Sequence, residues 1–288
     1  MDSYKEYLVL LSKSYEEAIE LLLRKYSPAQ DDYFREASYH RFMNGEIKNI
    51  TKGKFSRTTE GLYCHHIDEI KWLKMSDPAF VKEYSIPFET QRKHRLVYCD
   101  LAEHTILHVL ITKETSFEYG YPGYEVFLKR LMEEWYLDER KPNSDWMKRC
   151  YMKSFLKPQQ AFELIKEMQR VLGESYFNTL EDYFVEKKKR EEQIRQWQEQ
   201  RKQRRIDDRA RWIEVAKQLH HKSPRNDIVT ASYFIRVEYK DVMDLSKQAT
   251  SFKEYDRKMK QYSKEEILDE LLVFIGSGAE LAGEEGNN

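Results

Sequence analysis

Cysteine is scarce in this chain, and the little there is follows no pattern. Cys64, Cys99 and Cys150 form neither a C-x-x-C pair nor an even framework, which excludes a zinc ribbon and a disulfide scaffold and points to a reducing compartment. Long apolar runs are absent too. None approaches the ~18 residues a membrane helix needs, and no basic segment followed by an apolar stretch opens the chain. The expectation is a cytoplasmic protein with no membrane partner. Excess charge is also missing: the formal net charge is -1, so any nucleic-acid surface must come from local segregation of charge. Finally, neither glycine nor proline occurs from Glu174 to Ser223, so nothing there punctuates a helix.

What is present is charge and helical periodicity. Charged residues make up 34% and apolar ones 40% of 288 residues, which describes a polar, helical chain long enough for a substantial core and for two domains. Tyr7, Leu8, Leu11, Tyr15, Ile19 and Leu22 recur at helical spacing between Tyr4 and Tyr26. Ser14 with Glu17 forms a capping box inside that stretch, allowing two helices rather than one. Residues 44 to 61 are turn-rich and basic. They lead into a β-like run, Leu62 to Ile67, and after a connection of more than twenty residues comes a second strand, Leu96 to Cys99. Asp100 with Glu103 caps a helix from Leu101 to about Thr115. Further helices are expected from Tyr124 to Leu137 and from Pro158 to Gly173, and Asn178 with Glu181 could open another. Between Lys187 and Arg211 there are eleven basic and five acidic residues, a local net of +6, with apolar residues too sparse for a coiled-coil seam. A single helix of ~40 residues there would reach ~60 Å.

The histidines carry the chemistry. Five of the eight, His65, His66, His94, His104 and His108, lie between residues 65 and 108. Neutral imidazole is a ligand for divalent transition metals and a base near neutral pH. His104 and His108, four apart on a capped helix, stack on one face and can chelate one ion. His65 and His66, neighbours on a strand, point to opposite faces, so one can bind a metal while the other stays free.

In order and element type, the stretch from Gly61 to Leu110, reading GLYCHHIDE and then HRLVYCDLAEHTILHVL, resembles the HNH nucleases of the ββα-metal fold. The likeness is greatest to the single-metal type with three histidine ligands found in nuclease colicins. The resemblance implies that His65, His104 and His108 hold one divalent ion (Mg, Mn, Zn or Ni) and that His66 is the general base of phosphodiester hydrolysis. It also implies an Asn nine residues before the first helix histidine, which tethers the loop between the strands and helps orient the base. Here that position is Arg95. Either Arg95 or its neighbour His94 takes over that role or the site is impaired; Arg95 either reaches a phosphate or pairs with Asp68 or Asp100. Asp68 and Glu69 are candidates to orient an imidazole.

The expected fold is therefore α+β: a mainly α-helical chain with an embedded ββα-metal core and a long charged C-terminal helical region. The expected segments are 1–60 (helical, with a basic loop), 61–115 (the core), 116–180 (helical support), 181–275 (charged helical domain) and 276–288 (a disordered tail). The expected partner is nucleic acid, DNA ahead of RNA. Lys52, Lys54 and Arg57 would grip it near the site, and Arg201, Lys202, Arg204 and Arg205 along the arm; the arm reads equally as a solvated spacer helix. Tyr119, Tyr121 and Trp135 are candidates to stack on bases. The C-terminal helices could serve a homodimer or a protein partner. The alternative function is a non-catalytic regulator or inhibitor from a mobile element, built on the same scaffold and binding nucleic acid or protein.

Overall fold

The computed structural model describes residues 3–235 and 251–276. Among these residues the chain is mostly helical with one two-stranded antiparallel sheet, and it divides into two compact units, Met1–Phe184 and Val185–Asn288. The α+β expectation holds at that level. The segments 1–60, 61–115 and 116–180 fall within the first unit.

The first unit opens with α1 (Ser3–Leu11) and α2 (Tyr15–Tyr26). Ser14 separates them: its backbone is extended, its hydroxyl accepts from the Glu17 amide, and the Glu17 carboxylate accepts from the Ser14 amide at 2.9 Å. Such a cap is worth about 1 kcal/mol. A helix absent from the sequence reading, α3 (Glu36–Met43), follows.

Strand β1 (Tyr63–His66) pairs with β2 (Leu96–Cys99), with His65 opposite Val97 and His66 opposite Leu96. The connection between them is not bare loop. It carries a short helix, α4 (Pro78–Glu83), capped by Asp77. Met75, Val81, Ile86 and Phe88 join Phe34, Tyr39, Phe42 and Ile50 in a small core of their own.

Asp100 ends β2 and starts α5 (Leu101–Glu114) through a reciprocal cap with Glu103. The cap is buried and tied down: the Tyr7 hydroxyl donates to Asp100 Oδ2 at 2.8 Å and Lys25 Nζ to Glu103 Oε1 at 2.8 Å. Helix α5 is buried on nearly all sides, as a helix without a polar face must be. It packs against α1, α2 and the later helices.

The stretch expected as one helix from Tyr124 to Leu137 is helical but irregular. After α6 (Tyr121–Gly123), two π-helical turns, Tyr124–Leu128 and Glu133–Leu137, flank α7 (Lys129–Met132). Helices α8 (Asp145–Lys153) and α9 (Pro158–Val171) complete the layer. The left-handed Gly173 ends α9 (φ 73°), with the Glu174 amide donating back to Gln169 O at 2.9 Å.

Helix α10 runs Leu180–Lys217. Its cap is Thr179 with Asp182, each side chain accepting from the other's amide at 3.1 Å, one residue later than the expected Asn178 with Glu181. In the second unit α11 (Arg225–Tyr233), α12 (Phe252–Met259) and α13 (Lys264–Gly276) gather Ile228, Val229, Tyr233, Tyr255, Ile267 and Leu268 into a core. The expected tail, Gly276 apart, lies outside the described residues. No helix among the described residues is long and apolar enough to cross a membrane.

Candidate metal centre

Strands β1 and β2 and helix α5 carry the site, with α4 in the connection between the strands. The sheet register and the Asp100 cap fix α5 against β1. As a result His65, His104 and His108 each offer one ligand atom within 4.8 Å of the others. Their rings meet edge to face with centroids 5.0–5.4 Å apart. Two nitrogens on one ion at ~2.0–2.1 Å cannot lie more than ~4.2 Å apart, so a small closing of the rings completes a triad. His66 points the other way along the pleat, against Tyr33 (centroids 4.5 Å) and Gln91.

Hydrogen bonds fix which nitrogen of His65, His66 and His108 is held by the fold and which is turned to the site. Burial first, then Glu69 and Asp68, holds the Tyr15 hydroxyl well above its ordinary pKa, so it keeps its proton. That proton goes to Ile67 O at 2.9 Å, so the Tyr15 oxygen accepts from His65 Nε2–H at 2.9 Å. His65 Nδ1 is left bare and buried without a hydrogen-bond partner, as is Nδ1 of His104. His108 Nδ1–H donates to Gly120 O at 3.2 Å, leaving Nε2 bare. Gln91 donates its amide to Met75 O at 3.2 Å, so its Oε1 accepts from His66 Nε2–H at 3.1 Å, leaving Nδ1 bare. Burial holds the His65 imidazole down at about 3, and His104 is held well below the ordinary range chiefly by burial and then by His108. Both rings are neutral donors at neutral pH, as metal ligands must be.

Glu69 stands among three of these rings, those of His65, His66 and His108. Its Oε2 lies 3.1 Å from His108 Nε2 and 3.7 Å from His65 Nδ1, and its Oε1 lies 3.4 Å from His66 Nδ1. Burial raises the Glu69 carboxyl, but His65 and the hydrogen-bonding edges of His108 and His66 outweigh it and hold the group well below the ordinary carboxylate range. Ring nitrogens 3.1–3.7 Å from a buried carboxylate require positive charge between them, a proton or a bound cation. The donor set and its orphaned nitrogens therefore fit a divalent cation.

Two glycines make room for His108. A Cβ at Gly123 would lie 2.6 Å from both Cε1 and Nδ1 of the His108 ring. Gly120, with φ 78°, presents its carbonyl to the same ring, and a Cβ there would lie 2.6 Å from the His108 carbonyl oxygen. Only glycine lets this turn approach so closely.

The other expected residues fare differently. Arg95 is not brought to the triad: it forms a two-pronged ion pair with Asp68, with Nε 2.7 Å from Oδ2. Asp68 is therefore engaged by a guanidinium rather than an imidazole. His94 is a correction as well; it is exposed and faces Glu89 at 2.8 Å. Arg57 is spent internally, on Glu60, on Tyr26 O and over the Tyr98 ring, which corrects its assignment to a nucleic-acid surface. Lys54 is exposed, its amide held by Asp31. Lys52 lies over the Tyr33 ring, which itself packs on His66. On α10, Arg201, Lys202 and Arg204 are exposed, Arg205 is partly so, and Arg201 sits over Trp197. Trp135 is buried in the core, and Tyr121 donates to Glu174; Trp135 is no stacking platform.

Sequence reasoning missed Tyr15, Gln91 and the Gly120 to Gly123 turn. Gln91 holds His66 and ties it, through Met75, to the loop between the strands, the tether that the resemblance assigned to an Asn. The one legible signal was the turn itself, two glycines around Tyr-Pro in a glycine-poor chain. Compared with protein-family models, curated proteins and solved structures, the chain matches none.

Proposed function

We propose that this chain is a metal-dependent endonuclease of the HNH type, hydrolysing phosphodiesters in DNA ahead of RNA. The observation that carries the reading is the convergence of His65, His104 and His108 from a strand and a helix, with His66 beside them on the opposite face of the strand. A bound divalent ion, held by those three imidazoles, would supply Lewis-acid charge to the phosphate and the leaving oxygen.

The chain's own residues do the rest. Gln91 fixes the proton of His66 on Nε2 and so leaves Nδ1 to accept a proton from water. The water oxygen bonds to phosphorus, the bond to the 3′ oxygen breaks, and that oxygen is protonated from solvent. Products carry 5′-phosphate and 3′-hydroxyl ends. Tyr15 and Gly120 fix the tautomers of His65 and His108, which keeps their bare nitrogens turned inward. Arg95 and Asp68 neutralise each other beside the site, which favours a tether over a phosphate contact. Lys52, held over Tyr33 next to His66, is the cation best placed for a substrate phosphate.

The test is to incubate the purified full-length chain with supercoiled plasmid DNA and with structured RNA, with and without divalent ions. Ion-dependent nicking abolished in His66→Ala is expected. A protein that binds the ion but cleaves neither polymer would favour the non-catalytic regulator.

A further inference from the structure

We propose that Glu69 is a fourth protein ligand of the ion, binding through Oε2 while Oε1 faces His66. The inference rests on reading the three histidines as a metal site.

A carboxylate that merely orients a ligand histidine takes the ring's N–H, on the side away from the ion. Here those positions are already filled: Tyr15 takes the N–H of His65, and Gly120 takes that of His108. Glu69 instead meets the bare nitrogens, with Oε2 at 3.1 Å from His108 Nε2 and 3.7 Å from His65 Nδ1. Two adjacent donors on one ion at ~2.1 Å are about 3.0–3.4 Å apart, so the oxygen stands close enough to these two nitrogens to share their ion; with four protein ligands a phosphate oxygen would take a fifth position, an expansion that catalytic sites of this kind allow. Without a cation or a proton between them these atoms would confront each other in a site where His65 is fully buried.

The other oxygen, 3.4 Å from His66 Nδ1, links the ion to the base through one carboxylate. The ligand set becomes three neutral imidazoles and one anion. That lowers the charge of the loaded site by one and adds the oxygen donor that manganese prefers to a set otherwise suited to zinc and nickel. The sequence offered Glu69 only as a carboxylate near a histidine pair.

Cobalt(II) is the probe, titrated into the metal-free full-length protein against a competing chelator while its ligand-field absorption is recorded. Wild-type protein is expected to bind one ion. Glu69→Gln and Glu69→Ala should both lose more than about 100-fold in affinity, beyond the range for a residue that only orients a ligand. Both should shift the absorption bands, with melting of the metal-free protein preserved. Wild-type affinity and bands in Glu69→Gln would overturn the proposal and leave the three-histidine site standing. No binding by the wild-type protein would overturn both. A second measurement needs no variant: cobalt should shift a carboxylate stretching band in the infrared difference spectrum of the wild-type protein, and an unmoved spectrum counts against the proposal.

Discussion

Around the histidine cluster the polar side chains are buried and held by partners far away in sequence. His65 rests on Tyr15, His66 on Gln91, and Glu103 on Lys25. Along α10 the pattern inverts. Lys187 pairs with Glu191, Asp208 with Arg211 and Glu214 with Lys217, each one turn away and mostly exposed. A buried group left unsatisfied costs ~1–3 kcal/mol, whereas an exposed ion pair is worth ~0–1 kcal/mol. Identity is therefore fixed residue by residue in the first region, and in the second only by average charge and helix propensity.

The largest effect is expected at the histidines. His66→Ala should lower turnover by ~10²–10⁴ while ion affinity stays close to wild type, because a base is lost but no ligand. His104→Ala and His108→Ala should lose ion binding and turnover together. Equal loss of ion affinity in His66→Ala and His104→Ala, by calorimetry, would contradict this division of labour.

Gly123→Ala comes next. Its new methyl falls on the His108 ring, and displacing an oriented ligand should cost about 10–100-fold in ion affinity. Unchanged affinity would mean the turn moves freely, and that the region is less tightly specified than its contacts imply.

Stability against pH gives a third, smaller test on metal-free protein. An unfolded histidine titrates near ~6.5, while folded His65 is held down at about 3 and His104 is also depressed. Below pH ~6.5 the unfolded chain therefore takes up protons that the folded chain refuses. Stability is fully present above that pH and declines as pH falls toward the folded value, by up to ~1.4 kcal/mol per unit per group. The melting temperature should drop between pH ~6.5 and ~5, before most carboxylates titrate, and His65→Asn should remove part of the drop. A flat profile would show that these rings charge freely in the folded protein.

The smallest effect on stability and turnover is expected from neutralising Arg201, Lys202, Arg204 and Arg205 together. Each exposed change should stay within about 0.5 kcal/mol, and cleavage at saturating DNA should hold. If the arm tracks a duplex, the log–log salt slope of binding, measured in His66→Ala, should flatten by ~3–4 units. An unchanged slope would leave α10 as a solvated spacer.

Much was legible in the sequence because much of it is local. The caps at Ser14 and Asp100, the two strands, the start of α9 at Pro158 and its end at Gly173 all rest on residues within a few positions of one another. The spacing of His104 and His108 is fixed by helix geometry before any tertiary contact forms. What the sequence could not supply were the contacts that cross the chain. Tyr15 lies fifty residues from His65, and Gln91 twenty-five from His66. Glu69 reaches three imidazoles only because β1 and α5 pack face to face. Arg57 looked like a free cation, and the fold turned it inward onto Glu60; for Arg95 the sequence left open a phosphate, Asp68 or Asp100, and the fold chose Asp68. Periodicity and capping chose the elements, since those preferences are set by near neighbours along the backbone. Only packing decided which nitrogen of His65, His66 and His108 turned to the site, because each ring gives its other nitrogen to a residue distant in sequence.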